Sequence, residues 1–63
     1  MTIKTRHVRD LMLEKRLPLT KVAEQVGIKK ESLASILRTG TCSPITAGRL
    51  ARVLGIEVWE LIA

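Results

Sequence analysis

The chain has 63 residues and a formal net charge of +5, from 11 Lys and Arg against 6 Asp and Glu. This length predicts one small domain (residues 1–63) with a marginal core, and a single Cys excludes an internal disulfide. No apolar run or leader indicates a membrane or secretory destination, so we expect a cytoplasmic protein. The excess of basic residues favours an anionic partner, and nucleic acid is the first candidate.

The first predicted helix covers residues 5–15. Val8, Leu11 and Met12 form one apolar stripe there at helical spacing. Pro18 ends this segment, because proline disfavours helical geometry at the residue before it and itself suits the first turn of a helix.

The next two helices are predicted over residues 19–26 and 30–38, joined by a tight turn at Gly27. Glycine supplies the positive φ that ends one helix and redirects the chain. The residues expected to be buried are Val22, Ala23 and Val26 in the first helix and Leu33, Ile36 and Leu37 in the second. This pattern is typical of a helix-turn-helix, whose second helix enters the DNA major groove.

Ser43 and Pro44 open the fourth helix as its N-cap and first residue, and Gly55 ends it. The residues expected to face the core are Ala47, Leu50, Ala51 and Leu54 in this helix and Val58, Leu61 and Ile62 in a short fifth helix over residues 58–62. The sequence therefore predicts an all-α fold, a compact five-helix bundle with helices 2 and 3 as the helix-turn-helix.

From VRDLM in the first helix to ARVLGIEVWELI at the end, the chain resembles the lambda-repressor/Cro-like family, often called the XRE type. The resemblance lies in five elements in the family's order and spacing, and it covers nearly the whole chain. It implies a lambda-repressor-like bundle that binds operator DNA. The implied function is sequence-specific transcriptional regulation by operator occupancy, as a homodimer. Because a domain of this size offers only a small contact surface, we expect the free dimer to be weak and to form mainly on DNA.

The chain departs from the family pattern in three respects, which involve four positions. Leu19 stands where members often carry a Gln that reaches a phosphate. Met12 and Leu37 replace an Arg–Glu ion pair with two apolar residues, an exchange that can be neutral or stabilising. Thr39 is one residue more than usual before Gly40, which indicates a differently shaped loop after the third helix.

Three residues of the third helix align with the family's base-reading positions. They are Lys30 and Glu31 at its start and Ser35 one turn further. A lysine can donate to guanine O6 or N7, a glutamate can accept from cytosine N4, and a serine can do either. Phosphate contacts are expected from Lys29, Arg38, Thr39, Gly40, Thr41, Thr20 and Lys21. In the 39–41 loop, small side chains are expected to leave backbone N–H groups accessible. The other interpretation of these residues is an ordinary solvent-facing surface.

Trp59 is expected at the surface, because its neighbours on the fifth helix take the core face. An exposed tryptophan on so small a domain indicates an interface, here a dimer contact together with the loop at Cys42 and Ser43. Partial burial of the indole against the fourth helix is the other interpretation.

One His and one Cys make no metal-binding constellation, and the sequence has no phosphate loop, nucleophile–base pair or cofactor motif. We therefore expect neither an enzyme nor a metal, cofactor or small-molecule site. The alternative function is an antitoxin-like or accessory protein-interaction module that keeps the helix-turn-helix shape. The adjacent Lys29 and Lys30 favour DNA over this alternative.

Overall fold

Five helices and no strand make up the computed structural model, which describes all 63 residues. The helices are α1 (Thr5–Glu14), α2 (Leu19–Val26), α3 (Lys30–Thr39), α4 (Pro44–Leu54) and α5 (Val58–Leu61). The predicted all-α bundle of five helices is confirmed in this order. Compared with the prediction, α1 and α5 each end one residue earlier and α3 ends one residue later.

The core is entirely apolar and lies mainly between α2, α3 and α4. Its twelve members are Ile3, Val8, Val22, Ala23, Val26, Leu33, Leu37, Ala47, Leu50, Ala51, Leu54 and Leu61. All the residues predicted to be buried in α2 and α4 are buried. No polar or charged side chain is buried with them.

The weaker predictions of burial lie at the ends of the chain and at the edges of helices. Leu11, Met12 and Ile36 are only partly buried against the core. Val58 was expected inside but remains 36% exposed, because α5 is a single turn and can turn only one residue, Leu61, fully inward. Ile62 leaves the helix and is half-buried in extended backbone.

Local signals in the sequence explain where the helices begin and end. Gly27 and Gly55 adopt left-handed conformations, with φ of 87° and 72°, and close α2 and α4. The amide after each glycine, on Ile28 and Ile56, donates back into the last helical turn, as a Schellman motif requires. Ser43 caps α4, its Oγ accepting from the amide of Thr46 at 3.2 Å.

The first four residues form an extended segment that the sequence did not predict. The amide of Ile3 donates to the carbonyl of Gly40 at 2.9 Å, and that of Lys4 donates to Leu61 at 2.8 Å. In the other direction, the carbonyls of Met1 and Thr2 accept from residues 42 and 63. With Ile3 3% exposed, this segment fastens the loop after α3 to the end of the chain.

Candidate nucleic-acid interface

The helix α3 is fixed to the bundle by one apolar face. Leu33 and Leu37, one turn apart, are both buried, and Ile36 packs against the same core. On this side α3 contacts α2, which also packs against α4. The opposite side of α3 is therefore left for solvent or a partner.

Two adjacent rows of side chains, each with a spacing of four residues, form the outward face of α3. The rows are Lys30, Ala34 and Arg38, and Glu31, Ser35 and Thr39. All six are exposed except Ser35, which is half-buried. The three predicted base-reading residues thus lie together on the outward side, within the first six residues of α3.

Ala34 is a residue of this face that the sequence analysis missed. It lies between Lys30 and Arg38 in the same row and is exposed. With Ser35 beside it, the middle of the face carries only small side chains. The sequence could have placed Ala34 on this face, because a residue four positions after Lys30 lies on the same side of a helix.

The amino-terminal ends of α2 and α3 have no side-chain caps. The N-cap residues are Pro18 and Lys29, and neither side chain accepts a hydrogen bond from its helix. The first amides of a helix have no partner within it and carry a partial positive charge that attracts anions. Thr20 and Lys21, two of the predicted phosphate ligands, are exposed in the first turn of α2, so this end combines a side-chain cation with free amides.

The loop at residues 39–41 corrects one prediction. The amide of Gly40 donates to the carbonyl of Ile36 at 2.7 Å, and its own carbonyl accepts from Ile3. Gly40 therefore serves the geometry of the loop and has no free N–H for a phosphate. Thr39 and Thr41 are exposed, their Oγ1 atoms lie 3.3 Å apart, and Thr39 Oγ1 also donates to the carbonyl of Ser35.

Arg49 of α4 reaches the turn between α2 and α3. Its Nη1 atom lies 3.7 Å from the position that a Cβ on Gly27 would occupy. A cation at the carboxyl end of α2 interacts favourably with the helix dipole and adds positive charge beside the start of α3. Nothing local in the sequence indicates this contact, because it depends on the packing of α4 against α2.

The three residues predicted for a dimer interface lie in different environments. Trp59 is 69% exposed, in agreement with the expected surface position. Cys42 is half-buried; this burial raises the pKa of its thiol above the ordinary value, an effect that the positive N-terminus partly opposes. Ser43 is exposed, but its hydroxyl already joins Thr46 in the cap of α4.

No group of three or more His, Cys, Asp and Glu side chains comes together where it could hold a metal ion. None of the five helices has the length and apolar character needed to cross a membrane. No protein-family model, curated protein or solved structure matches the chain.

Proposed function

We propose that the protein is a sequence-specific DNA-binding transcriptional regulator of the lambda-repressor/Cro-like type. In this proposal α2 and α3 form the helix-turn-helix, and α3 enters the major groove. The observation that carries the proposal is the outward face of α3, which starts with Lys29 and Lys30, has small residues at its middle and ends at Arg38.

The dimensions of α3 support this proposal. Ten residues give a helix about 15 Å long, and a helix with side chains is about 10–12 Å across, close to the width of the major groove. Ala34 and Ser35 allow the middle of the helix to approach the base edges closely. Lys30, Glu31 and Ser35 then contact bases, and the Ala34 methyl group suits contact with a thymine methyl.

The charge distribution supports phosphate binding around the same helix. Lys29 and Arg38 lie at its two ends, and the uncapped start of α2 offers backbone amides beside Lys21. Helix amino termini bind phosphate through such amides without needing a specific side chain. Leu19 in the family's Gln position therefore removes one side-chain contact and leaves the backbone contact in place.

The protein is proposed to act as a homodimer, because a single recognition helix reads too short a stretch of DNA. One α3 contacts only a few base pairs, which is too few to select an operator within a genome. Two copies on two-fold related half-sites, with their recognition helices roughly 34 Å apart, double the reading length. In this proposal regulation results from occupancy of the operator.

The alternative, a protein-interaction module, is favoured by one feature. Leu13 and Trp59 are large apolar side chains that remain 78% and 69% exposed. Exposed residues of this kind are expected at a protein–protein contact. A contact between two copies of this chain accounts for them within the DNA-binding proposal.

Selection of binding sites from a random pool of duplex DNA tests the proposal. The expected result is an enriched sequence with two related half-sites about one helical turn apart. Arg52→Ala is the matched control, because it removes one exposed charge from α4, which belongs to neither helix of the proposed helix-turn-helix. This variant should select the same sequence, whereas a pool that shows no enrichment with the wild type would reject the proposal.

A further inference from the structure

An open groove lies along the end of α1 and the loop to α2. It has a volume of about 480 Å³ and is lined by Arg9, Met12, Leu13, Arg16, Leu17 and Pro18. We call this surface the α1 groove. The volume is within the range of sites that hold a side chain or a small ligand. Its walls are mainly apolar, it carries two arginines, and no acidic residue lines it.

The backbone at the end of α1 builds this groove. The amide of Leu17 donates to the carbonyl of Met12 at 2.8 Å, and that of Arg16 donates to Leu13, so α1 ends in a Schellman motif. Arg16 occupies the left-handed position of this motif, with φ of 53°, where glycine is the usual residue. The chain reversal leaves Leu13 exposed between the arginines.

A complementary surface lies on α5 of the same chain. Trp59 projects from it, 69% exposed, with the partly exposed Val58 before it. Glu57 and Glu60 flank these two apolar residues in sequence, and each also takes part in the capping box of the helix. The surface is therefore an aromatic side chain bordered by carboxylates, whereas the groove is an apolar slot bordered by guanidinium groups.

We infer that Trp59 of one copy packs into the α1 groove of a second copy, with the glutamates of α5 facing Arg9 and Arg16. This inference specifies the dimer of the proposed function and depends on that part of it. The end of α1 lies beside the turn that leads into α5, since Lys15 Nζ is 3.7 Å from where a Cβ on Gly55 would be. If each copy inserts its Trp59 into the α1 groove of the other about a two-fold axis, the assembly closes at two copies.

Charge and shape favour this occupant over a DNA phosphate or an acidic peptide of another protein. A phosphate needs the two arginines but makes no use of the apolar walls formed by Met12, Leu13 and Leu17. A second copy supplies both the carboxylates and the large apolar side chain. Tryptophan and arginine are also the residues that most often dominate binding energy at protein interfaces.

Complementation between two variants tests the inference. Trp59→Ala removes the inserted side chain but keeps the groove, and Leu13→Glu places a carboxylate in the groove but keeps the tryptophan. Both residues are exposed, so both variants should fold, which circular dichroism would verify. Each variant alone should self-associate at least tenfold more weakly than the wild type in sedimentation experiments run with and without the selected duplex, because the dimer is expected to form mainly on DNA.

An equimolar mixture should recover association, because one of the two reciprocal contacts is then intact. The chain has a single tryptophan, so fluorescence reports on Leu13→Glu alone, and its emission should shift to the blue as Trp59→Ala is added. Ile45→Glu is the control, since Ile45 is 70% exposed on α4 and belongs to neither surface. Its self-association should equal that of the wild type.

Four results would overturn the inference. The first two are wild-type-like association of either variant alone and no recovery in the mixture. The third is loss of association only in Ile45→Glu, which would place the contact at the start of α4. A Leu13→Glu variant that changes DNA affinity but not self-association would assign the groove to DNA and also overturn it. DNA binding by each variant, measured on a single half-site, separates this outcome from failure of the proposed function.

Discussion

Four residues have positive φ angles, and one of them, Arg16, is not a glycine. A residue with a Cβ in this region experiences a steric clash that glycine avoids, at a cost of roughly 1–2 kcal/mol. At Gly27 the space for a Cβ exists, because the nearest atom would be 3.7 Å away, so the need for glycine there arises from the backbone alone. Arg16 and Gly27 therefore occupy the same kind of helix-ending turn, and exchanging the side chain at each position should change stability in opposite directions.

Arg16→Gly should stabilise the fold by about 0.5–1 kcal/mol, because relief of the clash exceeds the added freedom of the unfolded chain. Gly27→Ala should destabilise it by about 1 kcal/mol for the converse reason. In a domain of this size, such changes shift the melting temperature by roughly 4–8 °C per kcal/mol. Thermal unfolding of both variants measures this, and a drop in melting temperature for Arg16→Gly would mean that its side chain contributes more than the strain costs.

Lys30 and Arg38 lie in the same row of α3 but have different expected roles. Lys30→Ala should reduce the preference for particular base pairs by about 1–3 kcal/mol, because its ammonium group reads base edges. Arg38→Ala should weaken binding to all sequences by similar amounts, because its partner is a phosphate. Competition binding with selected and random duplexes measures the two effects, and equal losses on both DNAs for Lys30→Ala would reject its base-reading role.

The helices differ in how well their sequence predicts their bounds and their buried residues. The bounds of α2 and α4 were predictable because glycine ends both and Ser43-Pro44 begins α4, all of them local signals. The burial of Val58 was not predictable, since one helical turn contains too few residues for its periodicity to define a face. The exposed side of α3 was predictable as well, because Leu33, Ile36 and Leu37 recur at helical spacing and define the opposite, core-facing side.

The extended segment at residues 1–4 was missed for a different physical reason. Its hydrogen bonds go to residues 40–42 and 61–63, which are distant in sequence, and no local pattern indicates such pairing. Two isolated antiparallel bridges, from Thr2 to Thr41 and from Ile3 to Ile62, hold it in place. The same limit applies to the contact of Arg49 with the α2–α3 turn, which depends on the packing of α4.

Ile3→Ala tests the contribution of this segment. Ile3 is 3% exposed, so truncation should leave a cavity and destabilise the fold by about 2–5 kcal/mol. Ile45→Ala serves as the control, because Ile45 is 70% exposed and its truncation should cost no more than about 0.5 kcal/mol. Urea unfolding gives both values, and equal stabilities of the two variants would show that the segment is not part of the cooperative core.

At the scale of the whole molecule, the proposed DNA surface and the exposed tryptophan lie on different helices. The basic residues of α3 and the start of α2 accompany the proposed DNA surface, whereas the exposed Trp59 lies on α5 between two glutamates. The net charge of +5 raises the local concentration of any polyanion near the protein. Charge alone would give binding without sequence preference, so specificity has to come from the face of α3.

The measurement that tests the central claim most directly is the dissociation constant for the selected duplex and for a random duplex as salt concentration varies. With about four to eight phosphate contacts per dimer, affinity for both should fall by roughly two to four decades between ~50 and ~200 mM salt. The selected duplex should bind more tightly at every salt concentration, by at least about a thousandfold if α3 reads bases. Equal affinities for the two duplexes, or no binding to either at low salt, would contradict sequence-specific DNA recognition.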